Sequence, residues 1–297
     1  MDKKKKKRSA ADRAYLSFVY LFVVICSLIA LYPMVYTFSM SISSAEHVAL
    51  NDIFFLPKGF SLQAYKMVFE DNEIWGAYMN TLWYTAVGTV LSVALTVLSA
   101  YPLSRRRFFL RKKLTLFVMF TMYFSGGMIP MFLLVTKMGL YNTRWACIFP
   151  YLISAWNLIV CRSFFESIPE TLGEAASIDG ASPYKIFSRI YLPLSKPIIA
   201  VMTLFYAVGQ WNGYFAAMMY LPNSDLHPIQ MYLRKILILS NTQSSMGNSS
   251  MGGFERSLAT QQLKYAVIIV TILPILAIYP CVQKHFVKGV MIGSIKE

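Results

Sequence analysis

The chain has 297 residues, of which 56% are hydrophobic and 14% are charged, and its mean hydropathy is +0.49. Soluble globular domains usually contain about 45–50% apolar and about 25% charged residues, so this composition excludes a soluble domain. Lysine and arginine outnumber aspartate and glutamate by 28 to 14, an excess that can indicate which side of a membrane each loop occupies.

Six apolar segments are long enough to cross a bilayer, which requires roughly 20 residues of helix. A seventh uncharged window is predicted to be a flexible loop, because it reads SNTQSSMGNSSMGG and its polar groups are costly in lipid. We predict an all-α polytopic membrane protein with a basic segment at 1–13, a transmembrane domain at 14–290 and a tail at 291–297. The predicted spans are about 15–40, 78–102, 114–136, 145–162, 197–220 and 265–284.

Basic residues are distributed unequally between the two sides of these spans. Twenty of the 28 lysines and arginines fall on the side that holds both termini, and eight fall on the other. Because cytoplasmic loops are enriched in Lys and Arg, both termini are predicted to be cytoplasmic. The basic start, MDKKKKKR, precedes a membrane helix and not a nucleic-acid-binding module, so we attribute it to topology and lipid headgroups.

Acidic side chains are absent from the predicted spans. This disfavours an ion-coupled secondary transporter, and the lack of HExxH or paired intramembrane carboxylates disfavours a membrane enzyme. The four cysteines lie in apolar segments without metal-ligand spacing and are predicted to be small buried hydrophobes. We therefore predict no catalytic residue, no metal site and no cofactor bound by this chain.

Two long external loops are predicted, at about 41–79 and 220–263. In the first, Ser61 is a candidate N-cap for a short helix beginning LQAYKMVF. In the second, PIQMYLRKILIL predicts a short surface helix that precedes the flexible segment. Both loops could simply connect spans, although tight hairpins would suffice for connection alone.

The cytoplasmic loop between the fourth and fifth spans is neither apolar enough to insert nor polar enough to be disordered. Ser167 and Glu170 fit a capping box, which predicts a helix through ETLGEAAS that stops near Gly180. Ser182 is a candidate N-cap for a second helix, which is predicted to end before Pro193.

One face of the first loop helix carries small residues that would let another backbone approach closely. The helix is therefore predicted to lie in a groove of another protein. Glu170 and Glu174 lie one turn apart on an adjoining face, whereas a helix lying on lipid headgroups would carry Lys or Arg there. The face itself has i, i+3, i+4, i+7 spacing and consists of Leu172, Ala175, Ala176 and Asp179.

This loop, 163–196, resembles a signature of the membrane subunits of binding-protein-dependent ABC importers: EAA, three residues, G, nine residues, I, one residue, LP. Three further segments, SGGMIP (125–130), DGASPYKIF (179–187) and QWNGYF (210–215), resemble the maltose-permease-like carbohydrate branch and its Gram-positive oligosaccharide importers. The resemblance covers roughly residues 12–297. The signature is matched by Glu174, Ala175, Ala176, Gly180, Ile190, Leu192 and Pro193.

The resemblance implies a non-catalytic permease in the bacterial cell membrane, with the type I ABC importer fold. Its implied partners are a second homologous permease, an extracellular or lipid-anchored solute-binding protein, and two ATPase subunits that bind ATP and Mg. The chain itself contains no GxxxxGK[ST] phosphate loop. In such importers the EAA helix docks in a cleft of the ATPase, so the expected coupling residues are Glu170, Leu172, Glu174, Ala175, Ala176, Asp179, Gly180, Ile190, Leu192 and Pro193.

The fifth span contains polar residues, GQWNGY, within an otherwise apolar run. Amide groups beside aromatic rings suit a sugar, because its hydroxyls need hydrogen bonds and its C–H faces stack on rings. The amides could instead bond between helices, and the indole could anchor at an interface. A non-sugar solute, or a main substrate site in the partner permease, also stays open. The candidate substrate-path residues are Gln210, Trp211, Asn212 and Tyr214.

Overall fold

The computed structural model describes residues 10–245 and 261–277, which form helices without any strand in those two ranges. The predicted all-α class is therefore confirmed. Two helices are long and apolar enough to span a membrane, and there are five spans if each of three bent helix pairs counts as one. A further apolar helix, Gln261–Ala277, makes the observed number of spans compatible with the six that were predicted. The basic start to residue 9, residues 246–260 and the chain from residue 278 lie outside the described ranges. The part of the predicted flexible loop that is described, 240–245, is helical and ends α13.

The helices are numbered here in chain order. They are α1 (Ala10–Ser41), α2 (Ala45–Ala49), α3 (Gln63–Glu70), α4 (Asn72–Ser104), α5 (Arg111–Tyr123), α6 (Met128–Lys137), α7 (Ala155–Ser167), α8 (Glu170–Ile178), α9 (Pro183–Ile186), α10 (Leu192–Leu194), α11 (Lys196–Trp211), α12 (Phe215–Tyr220), α13 (Ile229–Ser245) and α14 (Gln261–Ala277). Short 3-10 turns lie at Arg144–Cys147, Phe149–Tyr151 and Ser224–Leu226, and a π-helical turn lies at Phe187–Tyr191.

The chain divides into two compact units, Met1–Glu70 with Ile236–Val270, and Asp71–Lys235 with Thr271–Glu297. In the first unit, none of the most apolar window of α1 is buried within the chain, so its surface is available to lipid or to another subunit. The short helix predicted in this region is present as α3 but begins at Gln63, one residue later than expected, so Ser61 lies before the N-cap position. Its hydroxyl accepts a hydrogen bond from the backbone N–H of Gln63 at 3.3 Å.

The second unit is built around α4, α7 and α11. The buried face of α4 is rich in small and hydroxyl side chains, which let membrane helices approach closely. Thr96 of α4 and Tyr206 of α11 share a buried hydrogen bond of 2.7 Å. The apolar core between these helices includes Val97, Ala100, Leu103, Leu158, Cys161, Phe165, Ile198, Met202 and Tyr206.

Three predicted spans are not continuous helices. The segment predicted at 114–136 bends by 115° between α5 and α6, where Gly127 has a φ of +88°. The segment at 145–162 bends by 49°, and the segment at 197–220 is interrupted between α11 and α12.

The loop at 163–196 forms the first helix predicted for it, but without the predicted capping box. Helix α8 ends before Gly180, whose φ of +77° suits a residue without a side chain. At its start, Pro169 occupies the N-cap position, and the hydroxyl of Ser167 instead donates to the carbonyl of Phe164 at 2.7 Å. The capping-box prediction was therefore wrong, because the preceding helix uses that hydroxyl at its own end.

The second loop helix starts as predicted but does not stop before Pro193. The hydroxyl of Ser182 accepts from the N–H of Lys185 at 3.4 Å and caps α9. The backbone then continues through the π-helical turn into α10, which contains Pro193. A π turn widens the helix by one residue, which relieves the clash that proline otherwise makes with the preceding turn.

Three of the four cysteines lie in the described ranges, whereas Cys281 lies outside them, and these three differ in burial. Cys161 is buried and Cys147 is half-buried, as predicted, but Cys26 is exposed on α1. The prediction was wrong for Cys26 because an apolar membrane helix need not be buried within its own chain.

Candidate translocation cavity and coupling loop

A cavity of about 640 Å³ lies in the second unit, beside the interruption between α11 and α12. Amide, phenol and aromatic side chains line it, and none of its lining residues in the described part of the chain is charged. The side chains that can contact a solute include Tyr84, Tyr151, Ser154, Asn157, Phe205, Tyr206, Gln210, Asn212, Tyr214 and Phe215. Such a surface offers hydrogen bonds and flat apolar faces together, which is the combination that a sugar requires.

Three of the four predicted path residues line this cavity: Gln210, Asn212 and Tyr214. Helix α11 ends at its C-cap, Asn212, and the N–H of Gly213 donates to the carbonyl of Gln210 at 3.2 Å. Non-helical backbone at membrane depth is tolerated where it borders a cavity or is buried in protein. The interruption thus exposes amide and phenol groups along one wall.

Helix α4 supports that wall through a close contact at Gly88. A Cβ placed on Gly88 would lie 2.8 Å from the side-chain amide of Gln210. The glycine therefore lets Gln210 pass against α4, and a larger residue would push it toward the cavity.

The fourth predicted path residue, Trp211, does not line the cavity. Its side chain is 3% exposed, its Nε1 donates to the carbonyl of Thr271 at 3.2 Å, and its ring meets that of Tyr78 edge-on at 6.2 Å. The helical rotation of 100° per residue places it on the opposite side of α11 from the cavity wall. We therefore assign Trp211 to packing and not to sugar contact.

This placement predicts different outcomes for two Trp211 substitutions. Trp211→Ala should lower the yield of folded protein, because truncating a buried Trp costs about 3–5 kcal/mol. Trp211→Phe keeps most of the packing, and sugar uptake per folded molecule should stay within about two-fold of wild type after the loss of one hydrogen bond. Uptake is measured with the membrane yield of each variant; a Trp211→Phe protein that is abundant but inactive would place the indole in the path.

Sequence reasoning missed five polar residues of the cavity wall: Tyr84, Tyr151, Ser154, Asn157 and Tyr206. They lie in three different segments of the chain, and only the packing of α4, α7 and α11 brings them together. One signal was present, since Asn157 is an amide within the apolar run LISAWNLIV. A buried amide in a membrane helix usually has a packing or functional role.

The N-terminal part of α4 fixes the loop that precedes α13. Asn80 Nδ2 donates to the carbonyls of Asp225 at 2.7 Å and His227 at 3.2 Å, and its Oδ1 accepts from Arg144 at 2.8 Å. One helical turn further on, the hydroxyl of Tyr84 donates to the carbonyl of Leu226 at 2.9 Å. The loop carries Pro228, which lines the cavity, so these bonds set the shape of its wall.

Helix α13 is tied to the start of α4 by Tyr232. Its phenol donates to Asp71 Oδ2 at 2.7 Å, while Asp71 Oδ1 accepts from the N–H of Glu73 and caps α4. Burial, and then the bond to Asp71, raise the pKa of Tyr232, so the phenol keeps its proton at neutral pH. A second link joins Lys235 to Glu73 at 2.6 Å.

At the other end of the unit, the EAA helix α8 packs against the core by one face only. Ala176 contacts the hydrophobic core, and a Cβ placed on Gly173 would lie 2.8 Å from the Tyr191 hydroxyl. Ala176 therefore faces the core of its own chain. It was predicted to lie on the face that contacts another protein, so this part of the prediction was wrong. The exposed side of α8 carries the other three residues of that predicted face, which are Leu172, Ala175 and Asp179. Ile178 is exposed beside them. Ile190 and Leu192 also pack against the core.

The acidic residues of α8 face the loop between α4 and α5. Arg106 Nε lies 3.9 Å from Glu170 Oε2, and Arg107 Nη2 lies 3.7 Å from Glu174 Oε1. Both arginine side chains are 83% exposed, so these pairs contribute little to stability. Glu170 and Glu174 can therefore exchange these partners for others.

A less exposed group of ion pairs, centred on Glu166, lies close to these two pairs. Glu166 Oε1 pairs with Arg162 at 2.6 Å and also with Arg111, and Arg162 Nε donates to the carbonyl of Leu103 at 3.1 Å. One carboxylate thus connects α7 to α5, and Arg162 connects both to the end of α4.

Interrupted apolar helices around an uncharged cavity, with a two-helix loop at one end, define a solute-conducting membrane permease. The family model for the binding-protein-dependent transport system inner membrane component matches residues 92–292. The chain belongs to this family and is a non-catalytic permease subunit of an ABC importer, a class that works with an ATPase, a solute-binding protein and a second permease.

Named relatives agree with this assignment. The polygalacturonan/rhamnogalacturonan transport system permease protein YtcP of Bacillus subtilis (strain 168) is 41% identical, over 96% of this chain and 99% of that protein. The galactooligosaccharides transport system permease protein GanQ of the same organism is 30% identical, over 95% of each chain. A crystal structure of a bacterial ABC transporter involved in the import of the acidic polysaccharide alginate matches with a TM-score of 0.84, 36% identity and coverage of 95% and 100%.

Proposed function

We propose that this chain forms half of the translocation path for an oligosaccharide, with the cavity beside the α11–α12 interruption as its substrate-contacting surface. The observation that carries this proposal is the cavity wall itself, in which Gln210, Asn212 and Tyr214 join further phenols and amides without any charged side chain. The chain covers nearly the full length of relatives named for saccharide transport, which supports the same solute class.

The other half of the path belongs to a second, homologous permease. The open side of the cavity and the unburied surface of α1 are suited to such a heterodimer. ATP and Mg are bound by two ATPase subunits, and the sugar is delivered by an extracellular or lipid-anchored binding protein.

Helix α8 is the proposed contact with the ATPase. Its exposed residues Leu172, Ala175 and Ile178 form an outward face of small and apolar side chains, to which Asp179 adds a carboxylate. Glu170 and Glu174 border this face and hold only weak pairs within the chain. Movement of the ATPase can thus reach the core through Gly173, Ala176 and the segment of Ile190, Leu192 and Pro193 that follows the Gly180 turn.

The proposed orientation has both termini and α8 in the cytoplasm. In a version whose native cysteines are replaced by serine, a cysteine at Ser224 should react with a membrane-impermeant maleimide added to intact cells. A cysteine at Lys112 should react only after permeabilisation. Both positions are exposed, so accessibility within the protein does not decide the outcome. The reverse pattern of labelling would overturn the orientation.

A further inference from the structure

A second cavity, of about 360 Å³, lies between the α4–α5 loop and α8. Its floor is apolar and aromatic, with Tyr101, Phe108 and Tyr191 among its lining residues. Its rim carries three consecutive arginines, Arg105, Arg106 and Arg107, opposite Glu170 and Glu174. The arginine excess on a partly enclosed apolar surface favours an anion, because screening by water is reduced there.

Arg105 is the permanent source of positive charge in this cleft. Its Nε donates to Ser104 Oγ at 2.9 Å and its Nη2 to the carbonyl of Phe165, while its guanidinium carbon lies 4.3 Å from the centre of the Tyr191 ring. Its Nη1 is buried and has no hydrogen-bond partner. All its acceptors in the described ranges are neutral, so no carboxylate there cancels its charge.

Arg106 and Arg107 supply hydrogen-bond donors that can turn toward a ligand. Their side-chain contacts with Glu170 and Glu174 are 3.9 and 3.7 Å long, beyond ordinary hydrogen-bond length. The backbone N–H of Arg106 donates to Glu170 Oε1 at 3.5 Å and leaves the guanidinium free to turn. Two planar guanidinium groups can bind one phosphate through paired N–H donors, and this charge-assisted arrangement is stronger than such exposed pairs.

We propose that this cleft binds a phosphate group, either that of an anionic phospholipid headgroup or free phosphate. Arg106 and Arg107 contact the phosphate oxygens, Arg105 provides the underlying charge, and the aromatic floor accommodates the apolar part of a lipid. Because a bound phosphate competes with Glu170 and Glu174 for these arginines, its occupancy also frees both carboxylates of α8 for contact with the ATPase. This last consequence rests on the proposed coupling role of α8, whereas phosphate binding itself does not.

The test uses the complete importer purified in a mild detergent. Fluorescent phosphatidylglycerol is titrated first, in a background of phosphatidylcholine, and inorganic phosphate is then added as competitor. R106Q/R107Q should weaken binding of phosphatidylglycerol at least about ten-fold, since each lost charge-assisted bond has a large effect. The matched control is K112Q/K113Q, which removes the same charge from exposed positions outside the cleft.

The outcomes are distinct. Selective loss in R106Q/R107Q, without displacement by millimolar phosphate, assigns the site to a lipid headgroup, and displacement by phosphate assigns it to phosphate generally. Equal loss in both double variants, or no saturable binding of either probe to wild type, would overturn the proposal. If R106Q/R107Q does not assemble, R107K replaces it: it keeps the charge but loses the paired donors, and unchanged affinity in R107K overturns the paired contact. Sugar transport is not needed for any readout, so failure here is separable from failure of the proposed function.

Discussion

Gly173→Ala should release the ATPase from the importer and abolish most sugar uptake. The added methyl group would lie 2.8 Å from the Tyr191 hydroxyl. Tyr191 is 2% exposed, and its ring packs on Tyr101 at 5.1 Å and beneath Arg105, so it has little room to retreat. Helix α8 must move instead. Overpacking of this kind costs about 1–3 kcal/mol, which corresponds to roughly five-fold to 150-fold in ATPase affinity.

Two further variants make this result specific. Tyr191→Phe removes the oxygen that the new methyl group would strike, so G173A/Y191F should recover much of the lost ATPase co-purification and uptake. Gly76→Ala is the matched control, because it lies in a helix where an added Cβ meets nothing within 4 Å. Normal uptake and co-purification in Gly173→Ala would show that the packing of α8 against Tyr191 is not required for coupling to the ATPase.

Replacing both cavity amides, in the variant Q210L/N212L, should lower sugar uptake by about ten-fold or more. Each lost hydrogen bond to the solute costs about 1 kcal/mol, and the two amides can offer several such bonds. Neither side chain is hydrogen-bonded to another described residue, so their removal leaves no buried group unsatisfied. Assembly with the ATPase and basal ATP hydrolysis should therefore stay at the wild-type level.

The comparison for this experiment is Gln63→Leu, which removes an exposed amide on α3, outside the cavity. Uptake is measured below saturating sugar, where weaker contact lowers the rate most directly. Wild-type uptake by Q210L/N212L, with wild-type membrane levels, would assign the sugar contacts to the second permease.

Local chemistry predicted three features of the loop at 163–196 correctly. The Ser182 cap, the α8 helix and the turn at Gly180 each depend on a few neighbouring residues, and each is present. The predicted end of the second loop helix was wrong, because a π-helical turn lets the helical backbone continue through Pro193. That accommodation depends on packing of Tyr191 into the core, which no local pattern reveals.

Composition identified the membrane segments but not their interruptions. Apolar runs show where a chain can enter lipid, whereas the 115° bend near Gly127 is a property of backbone angles and packing. Similarly, the motif QWNGYF indicated a polar site, but only the rotation of α11 separates Asn212 at the cavity from Trp211 in the core. The remaining wall residues come from distant segments, so their association is tertiary.

The shared carboxylate of Glu166 has a consequence for the evolution of this family. It holds two arginines, Arg111 and Arg162, and removing it would leave two neighbouring cations without their counter-ion. Substitution at any one of the three positions should therefore be tolerated poorly alone and better in combination. Among relatives, a neutral residue at position 166 should be found together with loss of at least one of the two arginines, so that these sites are inherited as a set.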